Sequence, residues 1–196
     1  TLEVLRCYCN NLTALDVSGD IALKELYCSD NNLTTLDVSG NTGLTLLGCS
    51  NNDIVMLDVS KNTALEGLEC YENNITSLDL SKNTAMTYLS CADNQYFACA
   101  AQDRTFDLST LPGSFDVNKA GGWTGGTVDG NVLTFDDGIN TVTYTYDCGN
   151  TNSGVVNPTF TLNLHEHSYG AWQSNGNDTH TRSCLTEGCG FSETEN

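Results

Sequence analysis

The sequence predicts a solenoid of short parallel β-strands with few helices, running into a small antiparallel β domain. Three observations predict it. Cysteine recurs every 21 residues, at Cys7, Cys28, Cys49, Cys70 and Cys91, and asparagine follows three positions later at Asn10, Asn31, Asn52, Asn73 and Asn94. An LDVS or LDLS tetrad begins at Leu15, Leu36, Leu57 and Leu78. From about residue 112 the period is lost, and short runs of alternating apolar residues divided by Gly, Asn and Asp replace it. A fixed period of this length marks units that bury an apolar face only by stacking on their neighbours. Alternation marks half-buried strands.

Each coil can be justified from its own residues. The phrase reads L-x-x-L-x-C-x-x-N-x-L-x-x-L-D-V-S-x-N-T-x, the leucine-rich-repeat pattern with cysteine in place of one leucine. The strand is Leu-x-Cys, as in Leu26 to Cys28. Its flanking residues share a face, so the cysteine points inward with the leucine and acts as a small buried hydrophobe. Successive coils then lie about 4.8 Å apart, and a thiol in such apolar surroundings is unreactive. An inward asparagine amide satisfies the backbone groups left unpaired where the coil turns. Stacked carboxylates at Asp16, Asp37, Asp58 and Asp79 repel one another and need donors or a cation. The serine two positions later favours hydrogen-bonded turns, with a calcium ladder as the alternative. Asn11, Asn32, Asn74 and Asn177 fit the N-x-[ST] glycosylation pattern, but in the repeats that match follows from the consensus.

Residues 2–94 resemble bacterial surface proteins of the internalin class, in particular those whose 21-residue repeats carry a cysteine ladder. The resemblance implies a secreted or cell-surface-attached protein. It would be a non-catalytic recognition or adhesion module that binds a protein or glycoprotein on a host or neighbouring cell through the concave face. It also implies an immunoglobulin-like β domain directly after the repeats.

Binding information belongs where the repeat is unconstrained. The outward strand positions supply Arg6, Tyr8, Glu25, Tyr27, Glu69, Tyr71 and Tyr88 as the candidate ligand-binding set. Tyrosine offers large contact area with a polar tip, although strands favour tyrosine in any case. Gly48 and Ser50, the small residues of the middle coil, leave a shallow dip between the tyrosines. Five coils span roughly 20–25 Å at the strand spacing.

Composition narrows the partners. Lys and Arg number 7 against 25 Asp and Glu, a net charge of −18, so nucleic acid and anionic membrane surfaces are not expected partners. No stretch approaches the roughly 18 apolar residues that span a bilayer. The chain starts part-way into a repeat, so further repeats or a cap are expected upstream, and the module is expected to be monomeric. No G-x-S-x-G, H-E-x-x-H or glycine-rich phosphate loop is present, and no enzymatic activity is expected.

Beyond Asn94 the reading is coarser. Gln95–Leu111 looks like a cap, and residues 112–164 like a small β domain with strands at Val132–Phe135, Thr141–Tyr146 and Thr159–Leu164. Glycine pairs at 121–122 and 125–126 read as turns. Trp123 is either a core residue or a platform for a sugar ring. Cys99 and Cys148 are left over from the ladder and suggest a disulfide joining cap to β domain. In the tail, residues 165–196, His165, His167, His180, Cys184 and Cys189 are candidate ligands of a structural zinc. A Cys184–Cys189 disulfide is the alternative. No cofactor is required. Besides adhesion, two readings stand: a spacer or stalk of a larger surface protein, and a carbohydrate-binding module acting through the β domain.

Overall fold

The computed structural model describes residues 2–100, 103–113, 115–152, 154–165, 170–176, 179–185 and 192–195. Five three-residue strands open the chain: β1 Val4–Arg6, β2 Glu25–Tyr27, β3 Leu46–Gly48, β4 Gly67–Glu69 and β5 Tyr88–Ser90. They form one parallel sheet in sequence order, in a register that places Leu5, Leu26, Leu47, Leu68 and Leu89 side by side. Every partner is therefore one period away. Leu26, Cys28, Leu33, Val38 and Leu44 are completely buried, and their counterparts in the next coil, Leu47, Cys49, Ile54, Val59 and Leu65, are nearly so.

The thiols of successive coils are electrostatic neighbours in this core. Burial raises Cys28 to about 12 and Cys91 to about 11, and it pushes Cys49 and Cys70 well above the ordinary thiol value. The Cys7, Cys28 and Cys49 thiols add like-charge repulsion along the column. Such groups stay protonated and inert.

Asparagine joins the coils. The Asn73 amide nitrogen reaches the carbonyls of Cys70 and Tyr71 in its own coil and Cys49 in the preceding one, while its oxygen accepts from Ile54 N–H at 3.0 Å. Asn31, Asn52 and Asn94 repeat the arrangement. The residue before each adopts the left-handed conformation that turns the chain: Cys9, Asp30, Asn51, Glu72 and Asp93, with φ from 51° to 57°. A second buried row lies on the opposite side. Asn41, Asn62 and Asn83 donate to Val17, Val38 and Val59 carbonyls, leaving their own side-chain oxygens without partners. The Asp column makes turns: Asp16, Asp37, Asp58 and Asp79 accept from Ser18, Ser39, Ser60 and Ser81 N–H at 2.8–3.0 Å.

The β domain consists of β6 Gln95–Ala98, β7 Thr105–Asp107, β8 Ala120–Thr124, β9 Gly126–Asp129, β10 Val132–Phe135, β11 Thr141–Tyr146, β12 Asn150–Thr151, β13 Gly154–Val155 and β14 Thr159–Leu164. Its sheets run β6-β14-β11-β8 and β7-β10-β9, with β12 and β13 forming a separate small hairpin. Segment 95–111, expected as a cap, supplies an edge strand to each sheet. β6 lies parallel to β14, and β7 antiparallel to β10. The glycine pairs expected as turns lie largely in β8 and β9, where Gly126 lets the strand approach Val142: a Cβ there would stand 3.1 Å from its side chain.

The domain packs on the last coil through aromatic residues. Buried Tyr144 donates to Thr76 O at 2.6 Å and has Trp123 stacked on it at 4.6 Å between ring centroids. Phe115 meets the same ring edge-on at 5.6 Å. Leu80 N–H donates to Cys148 O at 2.8 Å, and Gly149 lies so close that a Cβ would be 3.2 Å from Ser81 backbone. The expected Cys99–Cys148 disulfide is not formed. Cys148 is a buried free thiol beside Cys91 and Cys70, placed there by this strap on the last coil. The tail forms a third antiparallel sheet from β15 Gln173–Ser174, β16 His180–Ser183 and β17 Ser192–Glu195. Among the described residues, no helix is long and apolar enough to cross a membrane.

Candidate functional site

Inward leucines and cysteines leave three outward columns on the β1–β5 sheet. The first reads Val4, Glu25, Leu46, Gly67 and Tyr88; the second Arg6, Tyr27, Gly48, Glu69 and Ser90. In the third, just beyond the strands, Tyr8, Ser29, Ser50, Tyr71 and Ala92 follow at the same period. The register thus decides which candidates meet.

Arg6, Glu25 and Tyr27 form one cluster. The Arg6 guanidinium lies 5.0 Å from the Tyr27 ring centre and 3.2 Å from a Glu25 carboxylate oxygen. The Tyr27 hydroxyl donates to the same carboxylate at 3.2 Å. Burial first, and then that carboxylate, raise the Tyr27 phenol above its usual value, so it stays neutral and remains a donor.

On the other side of Tyr27 the next position is Gly48. A hollow of about 110 Å³ opens there, floored by Gly48 and Gly67 and walled by Tyr27, Leu46, Glu69 and Tyr88. A Cβ on Gly48 would lie 3.4 Å from the Tyr27 ring and 3.9 Å from a Glu69 carboxylate oxygen; one on Gly67 would lie 2.7 Å from Leu46. Glu69 is half-buried, and its carboxylate has no ion pair or hydrogen bond among the described residues. Tyr88 is 53% exposed. Tyr8 and Tyr71, also exposed, stand apart in the third column. A larger groove of about 480 Å³ runs between the outer edge of β5 and Thr151, Val156, Asn157 and Pro158, so Tyr88 borders both spaces.

The small residues of the dip were legible in the sequence. Leu46, which walls the hollow, was missed as part of the site. The signal for Leu46 is an apolar residue at an outward strand position. Ser50 is almost fully buried, and its hydroxyl has no hydrogen-bond partner.

Elsewhere the candidates separate. Trp123 stacks on Tyr144 and packs against the core, so one indole face is already used. In the tail, His165 Nε2 and Cys184 Sγ are 3.3 Å apart. His180 begins β16, four residues before Cys184, a separation of roughly 13 Å along an extended strand. One tetrahedral centre with bonds of about 2.0–2.3 Å does not join His180 to Cys184 across that distance. His167 and Cys189 lie outside the described residues. Among the described residues, no three His, Cys, Asp or Glu side chains gather where a metal would sit.

No family model matches the chain. No curated protein matches it either. Among solved structures it is similar to the functional domain of InlJ from Listeria monocytogenes, which includes a cysteine ladder, at 20% sequence identity with a TM-score of 0.26. The match covers 84% of this chain, and the chain spans 62% of that structure's length. By its own geometry the chain is a parallel-stranded repeat solenoid carrying antiparallel sheets at its C-terminal side.

Proposed function

We propose that this chain is a non-catalytic recognition module of a secreted or cell-surface-attached bacterial protein, an internalin-like adhesin. It binds a protein or glycoprotein of a host or neighbouring cell on the outward face of the β1–β5 sheet. One observation carries the reading: the outward columns hold four tyrosines, Tyr8, Tyr27, Tyr71 and Tyr88, of which Tyr27 and Tyr88 wall a glycine-floored hollow, while the inward leucines and cysteines pack in the core. Amphipathic aromatics around a concavity are the usual anchors of recognition surfaces.

The test is capture. The chain and its Tyr27→Ser/Tyr71→Ser/Tyr88→Ser variant are presented to an array of mucins, host-surface proteins and glycans, with circular dichroism to verify the fold. Capture by the native chain and not by the variant is expected. Equal capture by both would move the binding surface elsewhere, and no capture by either would favour the spacer reading. The carbohydrate reading through Trp123 has less support, because Tyr144 occupies one face of its ring.

A further inference from the structure

The hollow over Gly48 has a chemistry that follows from its neighbour. Across the row Arg6-Tyr27-Gly48-Glu69, Tyr27 has two flanks. One carries the Arg6 guanidinium, 5.0 Å from the ring centre and held by Glu25 at 3.2 Å. The other faces Gly48, where a Cβ would lie 3.4 Å from the Tyr27 ring, 3.5 Å from the Ser29 hydroxyl and 3.9 Å from a carboxylate oxygen of half-buried Glu69, whose side chain has no partner among the described residues. An aromatic ring beside a carboxylate is thus satisfied by a cation on the first flank and left unsatisfied on the second.

The geometry points to a subsite for an arginine side chain of the protein ligand. Its stem lies against Leu46 and Tyr88, and its guanidinium sits over Gly48 between the Tyr27 ring and the Glu69 carboxylate. This inference rests on the recognition reading above and names the ligand chemistry that its surface takes.

Two further observations support the assignment. The volume of about 110 Å³ is well below the roughly 300–1,000 Å³ of small-molecule pockets, so it suits one side chain. The chain's net charge of −18 favours the approach of a basic segment. Arginine suits the site better than lysine because its planar head stacks on the ring while its N–H groups reach the carboxylate. No such cation enters by chance from within: among the described residues the single ion pair is Arg6–Glu25.

The test uses the whole chain, labelled with nitrogen-15, and two probes: N-acetyl-arginine amide and its neutral isostere N-acetyl-citrulline amide. Saturable shifts of the Gly48 and Gly67 amide resonances are expected with the arginine probe, and at least tenfold weaker response with citrulline. Glu69→Gln, which keeps the fold, is expected to weaken arginine binding about tenfold. Gly48→Leu fills the hollow without changing charge and is expected to abolish the shifts. If Gly48→Leu does not fold, Glu69→Gln alone decides. Equal response to both probes, or binding unaltered in Glu69→Gln, overturns the subsite. Failure here is distinguishable from failure of the broader reading. Array capture that is lost in the tyrosine variant but unchanged in Glu69→Gln and Gly48→Leu would leave recognition standing and remove the arginine subsite.

Discussion

The solenoid and the β domain bury similar apolar side chains by opposite routes. In the solenoid every strand partner is 21 residues away, and the same asparagine fastens each coil to the one before it. In the β domain, β6 pairs with β14 and Tyr144 reaches back to Thr76, with sequence separations up to 68. The first region holds together through a short-range rule repeated, the second through a few long-range contacts made once. Damage should therefore spread differently: along the stack in one case, at a single docking surface in the other.

The largest effect is expected from Asn73→Ala. It leaves the Ile54 N–H without its acceptor and removes one of two donors from each of the Cys49, Cys70 and Tyr71 carbonyls, which keep Asn52, Asn94 and the Asn51 N–H, a loss of about 2–3 kcal/mol. Urea unfolding should show a lower midpoint. A loss below about 1 kcal/mol would mean that water replaces the amide and that the clamp is dispensable. Tyr144→Phe removes one buried hydrogen bond to Thr76 O while keeping the stacked ring, and about 1–2 kcal/mol is expected. An effect equal to that of Asn73→Ala would erase the contrast between the regions.

How much of this was legible follows the same division. Strands β1–β5 lie one residue earlier than Leu-x-Cys, each centred on the leucine with the cysteine just beyond its end, and the period fixes inward face and partner together. β10, β11 and β14 match the alternating runs residue for residue. Their neighbours were not legible. β8 and β9 are rich in glycine, which reads as turn, yet Gly126 is there to let two sheets approach. The parallel pairing of β6 with β14 depends on a distant segment and leaves no local pattern. Asn41, Asn62 and Asn83 stood in the repeat phrase, but nothing there distinguishes an inward asparagine from a turn residue. In the candidate site the residues were legible as outward positions, whereas the hollow needed the register that sets Tyr27, Gly48 and Glu69 in one row. Cys148 was paired with the wrong partner because two cysteines outside a ladder suggest each other, while the strap of Leu80 and Gly149 delivers it to Cys91.

Thiol labelling sharpens the comparison by rate. At pH 8 a disulfide reagent should reach exposed Cys9 promptly, and Cys49 and Cys70 only as fast as the stack opens. Cys148 belongs to the β domain yet sits against the stack, so it should label as slowly as Cys70. Faster labelling of Cys148 would mean that the domain lifts off while the coils stay closed.

The smallest effect is expected from the aspartate turns. Hydrogen bonds from Ser18 and Ser39, side chain first and then backbone, hold Asp16 and Asp37 below the ordinary carboxylate range; for Asp79 the Ser81 backbone N–H leads. A folded pKa below the unfolded value gives stability that is present above about pH 4 and lost as pH falls through the folded value. Stability should therefore decline on acidification, and replacing Asp16, Asp37 and Asp79 by Asn, which keeps the acceptor but does not titrate, should flatten that decline. An unchanged acid limb in the variant would assign it to other carboxylates.

The asparagine clamps also set how the chain bears load. Each fastens one coil to the coil before it and to nothing further away. A pull at the ends of such a stack does not rupture it at once; it peels the outermost coil while the next stays clamped. Every release frees 21 residues, roughly 70 Å of contour length. Under tension the chain is a shock absorber graduated in coils, with a yield force set by one strand pairing and the asparagine amides that join two neighbouring coils.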